Sequence, residues 1–199
     1  MKRLIRLVAI IALAVTCSSV AGADEHNSGG LGFRPNDIGA RNADELRVGA
    51  PIGVRWWLGE QKVGIDLGFG FSSHKDEAAD KYSHDWSIDA GIPICVKRWD
   101  RVHVIARPGF DYASQQDFVA VVTAAPGTFE TITDKFITIS GEIEAEVFLA
   151  DNVSVSASHG VGFVNYKPGE TGATSTTDFG TFGRNFTQVG FHVYLWGKQ

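Results

Sequence analysis

The chain has 199 residues and a net charge of −5, with 44% of residues hydrophobic and 21% charged. This balance excludes a disordered chain, two cysteines exclude a disulfide scaffold, and the acidic charge argues against general nucleic-acid binding. Glycine is abundant at 23 residues without any Gly-X-Y repeat, and 13 Phe and 5 Trp beside one Met favour strands over helices.

Residues 1–23 read as a secretory signal peptide. Lys2, Arg3 and Arg6 form a basic head, Leu4 to Val15 is mostly apolar, and Ala21-Gly22-Ala23 precedes Asp24 as an A-x-A cleavage site. A membrane anchor would need about 20 apolar residues, more than this run supplies. Cleavage after Ala23 removes three cations and takes the net charge from −5 to −8. Cys17 leaves with the signal and Cys95 remains alone. Val15-Thr16 is a poor match to the small residues that a lipidated Cys17 would need before it.

From residue 24 to residue 199 the chain reads as one domain of strands, because apolar residues recur with period two and never with a sustained period of 3.6. Gly29 to Asp37 is a weak first strand, with Leu31 and Phe33 on one face and Pro35 against it. Val48, Ala50, Ile52, Val54, Trp56 and Leu58 share a face, followed by Val63, Ile65, Leu67, Phe69 and Phe71. Trp86, Ile88, Ala90, Ile92 and Ile94 form the next run, then Val102, Val104, Ala106, Pro108 and Phe110. Ile137, Ile139, Gly141, Ile143, Ala145, Val147 and Leu149 alternate most clearly. Val153 to Phe163 and Val189 to Leu195 complete the series.

Connections alternate in length. Residues 59–61, 95–101 and 150–152 are short, whereas 73–81, 112–134 and 165–181 are long. Short turns at one end and long loops at the other are expected of an outer-membrane barrel. If the long loops face outside, the last strand runs toward the periplasm, and an even count of eight requires the 29–37 segment as the first strand. Within 112–134, the apolar and Thr-rich flanks of Ala124-Ala125-Pro126-Gly127 predict a protruding hairpin turned at Pro-Gly.

The second face of each strand decides which side meets lipid. Gly64, Asp66, Gly68, Gly70 and Ser72 alternate with one apolar row, and Arg47, Gly49, Pro51, Gly53, Arg55 and Trp57 with another. A soluble lipocalin-like barrel needs a Lys-, Glu- and Thr-rich exterior. Small side chains with a few charges suit a narrow lumen instead, so the apolar face is expected to point outward. Trp56, Trp57, Trp99 and Trp196 fall near the short-turn end and Tyr82, Trp86, Tyr112, Phe136 and Tyr166 near the long-loop end, which predicts two aromatic girdles.

The signal peptide, the alternating connections and the aromatic run Phe191-His192-Val193-Tyr194-Leu195-Trp196 together resemble the small OmpA/OmpX-like outer-membrane β-barrel family. The resemblance covers the whole chain after residue 23 and is one of pattern. Gly197-Lys198-Gln199 departs from it, since family members usually end on the last aromatic. It implies an all-β, eight-stranded antiparallel up-and-down transmembrane barrel and a place in the bacterial outer membrane; because the chain ends with the last strand, no C-terminal peptidoglycan-binding domain is expected. It also implies outer-membrane lipids, lipopolysaccharide and the barrel-assembly machinery as partners.

Chemical motifs are sparse. Six His occur without HExxH or CxxC spacing, so no metal site and no cofactor are expected. His159 falls on the apolar face near Ser156 and Ser158, residue types that lipid hydrolases pair, but neighbours on a strand point to opposite faces. Asp76, Glu77 and Asp80 cluster in a long loop as a solvated acidic patch or a holder of divalent cations.

Inward parity collects Arg47, Arg55, His103 and Arg107 with Asp66, Asp89, Glu142, Glu144 and Glu146. Inside a narrow barrel such charges must pair or be hydrated. A 95–101 turn centred on Arg98 sets Asp89 opposite Arg107, and the 59–61 turn sets Arg55 opposite Asp66 or one diagonal step away. Arg47 or an adjoining strand is then needed for the three Glu, or one Glu keeps its proton. Parity also predicts a three-residue loop Ala150-Asp151-Asn152 with Asn152 left-handed. The expected function is non-enzymatic: a side-chain-filled barrel with a structural role or with loops that bind an unidentified external ligand. A lipid-modifying enzyme and a soluble periplasmic lipocalin-like carrier are the alternatives.

Overall fold

Polar and apolar side chains alternate along nearly every stretch of ordered backbone, and the backbone pairs accordingly. A computed structural model describes residues 28–33, 52–58, 61–77, 79–120, 128–181 and 188–196. The expected signal peptide, Arg47 and residues 34–51 lie outside the described residues. Every regular element described is a strand: β1 (Ser28–Phe33), β2 (Ile52–Leu58), β3 (Val63–Asp76), β4 (Lys81–Gly91), β5 (Ile94–Arg98), β6 (Val102–Ala120), β7 (Phe129–Ala150), β8 (Val153–Lys167), β9 (Thr176–Thr181) and β10 (Gln188–Trp196).

Two pairs of segments each occupy one place in the sheet. β4 and β5 continue one register along β3, with Asp66 opposite Gly91 and Val63 opposite Ile94. Pro93 interrupts the strand because it has no N–H to give, yet its carbonyl accepts from Gly64 N at 2.8 Å and Ile92 N donates to Pro108 O at 3.0 Å. β9 and β10 pair successive stretches of β8. Counted this way, eight antiparallel strands form a ring, closed where β10 pairs with both β1 and β8.

The apolar faces point away from the ring. Leu67, Ile139, Ile143, Leu149 and Phe163 are all more than half exposed. The opposite faces are buried and polar, with two Arg, seven Asp or Glu and a row of Ser among the most buried residues.

Several connections differ from their expected form. The 73–81 segment is mostly strand, because β3 runs to Asp76, which pairs with Lys81. β8 likewise extends to Lys167, and β9 lies inside the expected 165–181 loop. Backbone pairing needs no apolar face, so a reading by apolar alternation stops where the side chains turn polar while the ladder continues. In the 112–134 segment, β6 and β7 pair as far as Ala120 and Phe129, forming a hairpin that outreaches its neighbours.

Both fully described short turns are tighter than expected. The 95–101 segment is not centred on Arg98: β5 extends through Arg98, and Trp99 N donates to Val102 O at 2.8 Å around Asp100-Arg101. A bulge between Cys95 and Lys97 absorbs the odd residue. The 150–152 loop is a two-residue turn, Asp151-Asn152, with Ala150 opposite Val153 and a bulge between Phe148 and Ala150. Asn152 is not left-handed; positive φ among the described non-glycine residues falls on Gln61 (60°) and Asp80 (48°). Parity requires an odd loop length only where the ladder is unbroken. One bulged residue beside a two-residue turn restores the faces that a three-residue loop would have kept.

Candidate functional site

Among the described residues, chemistry-bearing side chains converge in the interior of the ring. Its short-turn end is sealed by Trp57, Ile105, Phe148 and Tyr194. Trp57 Nε1 donates to Tyr194 OH at 3.2 Å, and the His103 ring lies edge-on to Phe148 with centroids 4.8 Å apart. Trp57 therefore belongs to the interior floor and not to the expected outer girdle, as its inward parity requires. Phe136 and Tyr166 also occupy inward positions and stack with centroids 4.8 Å apart. Trp56 and Trp99 do face outward at the short-turn end.

Above the floor, two guanidinium groups organise the carboxylates. Arg55 on β2 forks onto Asp66 of neighbouring β3, with Nε–Oδ1 at 2.8 Å and Nη2–Oδ2 at 2.9 Å. The same guanidinium reaches across the ring to Glu144 on β7, at 3.0 and 2.9 Å. Glu146 lies 3.7 Å from its Nη1. Arg107 on β6 donates from Nε to Asp66 Oδ2 at 2.9 Å, from Nη1 to Glu142 at 3.2 Å, and from Nη2 to Asp89. Asp66 thus bridges both cations.

The expected register for Asp89 is corrected. Asp89 stands opposite Asp111, and Gly91 opposite Gly109, so Arg107 reaches Asp89 lengthwise along the wall. The position of the turn is the reason: it lies at Asp100-Arg101 and not at Arg98, which slides β6 along β4 and β5, and the bulge near Val96 takes back one residue of that shift. Arg55 and Asp66 are direct register partners.

Neutral donors complete the carboxylates. The inward row of β8 lies beside the Glu row of β7, with Glu144 opposite Ser158 and Glu146 opposite Ser156. Ser158 Oγ donates to Glu142 at 2.9 Å, Ser154 Oγ to Glu146, and Tyr194 OH to Glu146 at 2.8 Å. His192 Nδ1 lies 3.5 Å from Glu146. Asp85 accepts from Ser72 Oγ at 3.2 Å and from Gln116 N at 2.9 Å. Asp85 and Asp111 also lie inside, although they fall just beyond the apolar runs that mark their strands and so outside the inward rows that parity collects, and the β8 serines carry no charge to mark them.

A cavity of about 30 Å³ is lined by Gly32, Gly53, Gly68, Arg55, Asp66, Asp89 and His192. It has room for a water molecule or two and none for an organic ligand.

The other candidates do not converge. His159 faces outward opposite Ile143, while Ser158 faces inward onto Glu142, so the two point to opposite sides of the wall. In the acidic loop, Lys75 Nζ holds Asp80 at 2.6 Å and Asp76 accepts from Ala79 N at 2.9 Å. Among the described residues no group of His, Cys, Asp and Glu is arranged to hold a metal ion. Comparisons with protein-family models, curated proteins and solved structures gave no match.

Proposed function

We propose that the chain is an integral outer-membrane β-barrel of the small OmpA/OmpX-like kind, exported by its N-terminal signal and inserted by the barrel-assembly machinery. Its role is structural or carried by its protruding segments. One observation carries this reading: the ring is inside out relative to a water-soluble fold, with charges buried within and large apolar residues exposed around it. In water that exterior would be a contiguous apolar surface far larger than a soluble monomer tolerates; against lipid it is the required surface.

The filled interior supports a non-enzymatic, non-porous role. Arg55 spans the ring from β2 to β7, and the floor aromatics block the short-turn end. An apolar-cargo carrier would need an empty apolar cavity, and this interior is polar and occupied.

The test is fractionation and heat-modifiable gel mobility of the full-length protein. The expected result is extraction only with detergent, and a band that shifts on boiling. Recovery in the soluble fraction without a shift would overturn the reading. A lipid A mass spectrum unchanged by the protein separates it from a lipid-modifying enzyme.

A further inference from the structure

Resting on the membrane reading above, we propose that Lys135 and Lys167 form a site for the phosphomonoester of an anionic lipid headgroup at the outer rim of the apolar belt. The two lysines are direct register partners on β7 and β8, and both are exposed on the outward face. Like charges directly opposite one another destabilise a sheet unless something lies between them. Nothing within the described protein does so: among the described residues neither lysine side chain has an ion pair or hydrogen bond. The nearest carboxylate along β7, Asp134, points to the other face, where it accepts from Tyr166 OH at 3.0 Å and Gly169 N at 2.7 Å.

Their position sets the ligand class. The pair lies one outward step beyond Ile137 and Asn165, where the apolar belt ends. Along the same row Lys135 stands opposite Ser114, and Ser114 opposite Trp86, whose ring lies 5.0 Å from that of Tyr112. Aromatics at that level mark a membrane–water interface. Below the lysines, Ile137, Ile139 and the Phe163–Phe179 pair, with centroids 4.7 Å apart, form an apolar strip that acyl chains can cover. Two ammonium groups match a phosphomonoester, which carries about −1.5 to −2 at neutral pH, better than a singly charged phosphodiester.

The experiment uses the full chain in a non-ionic detergent, with bisphosphorylated lipid A as the probe and bound lipid counted by native mass spectrometry. Lys135→Gln/Lys167→Gln should bind on the order of tenfold more weakly than the wild type. Lys62→Gln/Lys97→Gln, which removes the same charge at the opposite end, should bind as the wild type does. Dephosphorylated lipid A should bind weakly to all three, and inorganic phosphate should not compete. Equal binding by the two double variants, equal binding of the dephosphorylated lipid, or displacement by free phosphate would each overturn the site. Failure of the membrane reading looks different: the wild-type chain would stay folded and soluble without detergent.

Discussion

Arg55 and Asp66 face each other across β2 and β3 as direct register partners, and both are almost completely buried. The pair is the hinge of the interior network, because Asp66 also holds Arg107 and Arg55 also holds Glu144. Removing one member of a buried pair leaves the other charge without compensation, at a cost of about 3–5 kcal/mol. Arg55→Met is therefore expected to lower stability by that order, measured by urea unfolding in detergent or vesicles. Arg55→Lys should also be destabilising, since an ammonium cannot satisfy Asp66 and Glu144 with parallel bonds. Unchanged unfolding midpoints in both variants would contradict the network.

The exterior makes an independent prediction. Ile143 and Leu67 are 58% and 53% exposed near the middle of the apolar face. A charge there should cost roughly 2–4 kcal/mol if the face meets hydrocarbon. Ile143→Arg and Leu67→Arg are expected to assemble poorly, seen as loss of the heat-modifiable band. Normal assembly of both would count against lipid contact.

Side-chain direction was legible in the sequence, and register only in part: the 59–61 turn set Arg55 opposite Asp66 or one diagonal step away, and the two are direct partners. Period-two alternation fixes which face a residue occupies, so the apolar row of 137–149 and the Glu row beneath it were readable from parity. Register depends on where extra residues sit. The turn after β5 lies at Asp100-Arg101 and the bulges near Val96 and Leu149 leave no mark on the alternation, so Asp89 stands against Asp111 where a turn centred on Arg98 would set it against Arg107. The polar strand ends at Ser73–Asp76 and Asn165–Lys167 were unreadable for another reason: beyond the exposed apolar belt, pairing imposes no apolar pattern. Trp57 shows an available signal overlooked. Its parity placed it inward while its residue type suggested a girdle, and the geometry follows parity.

Glycine spacing inside the wall gives a paired test. A Cβ on Gly91 would fall on the guanidinium of Arg107, whereas a Cβ on Gly141 would meet nothing within 4 Å. Gly91→Ala should push Arg107 away from Asp89 and Asp66 and cost about 1–3 kcal/mol, as overpacking does. Gly141→Ala, which faces outward, should leave the urea midpoint nearly unchanged. Equal effects of the two substitutions would mean that the space beside Gly91 does not seat Arg107.

The β6–β7 hairpin extends past the ring, and its outer part should be dispensable for assembly. The last pairings that anchor it to neighbouring strands are Trp86 with Ser114 on one side and Lys135 with Lys167 on the other. Just beyond, Gln116 N donates to Asp85, and Asp134 holds Tyr166 and Gly169. Past Gln116 and Thr133 the two strands pair only with each other, from Asp117–Ile132 to Ala120–Phe129. Replacing residues 117–132 with an Asn-Gly turn keeps these pairings and hydrogen bonds, gives up the contact of Lys81 with the Phe118 ring, and shortens the loop, which favours closure slightly. The shortened protein is expected to retain the heat-modifiable band and a urea midpoint close to that of the full chain. Any binding carried by the hairpin tip would be lost, so the variant separates the proposed structural role of the ring from a role of the projecting strands. If the variant fails to assemble, the projection belongs to the folding of the ring and is not an appendage to it.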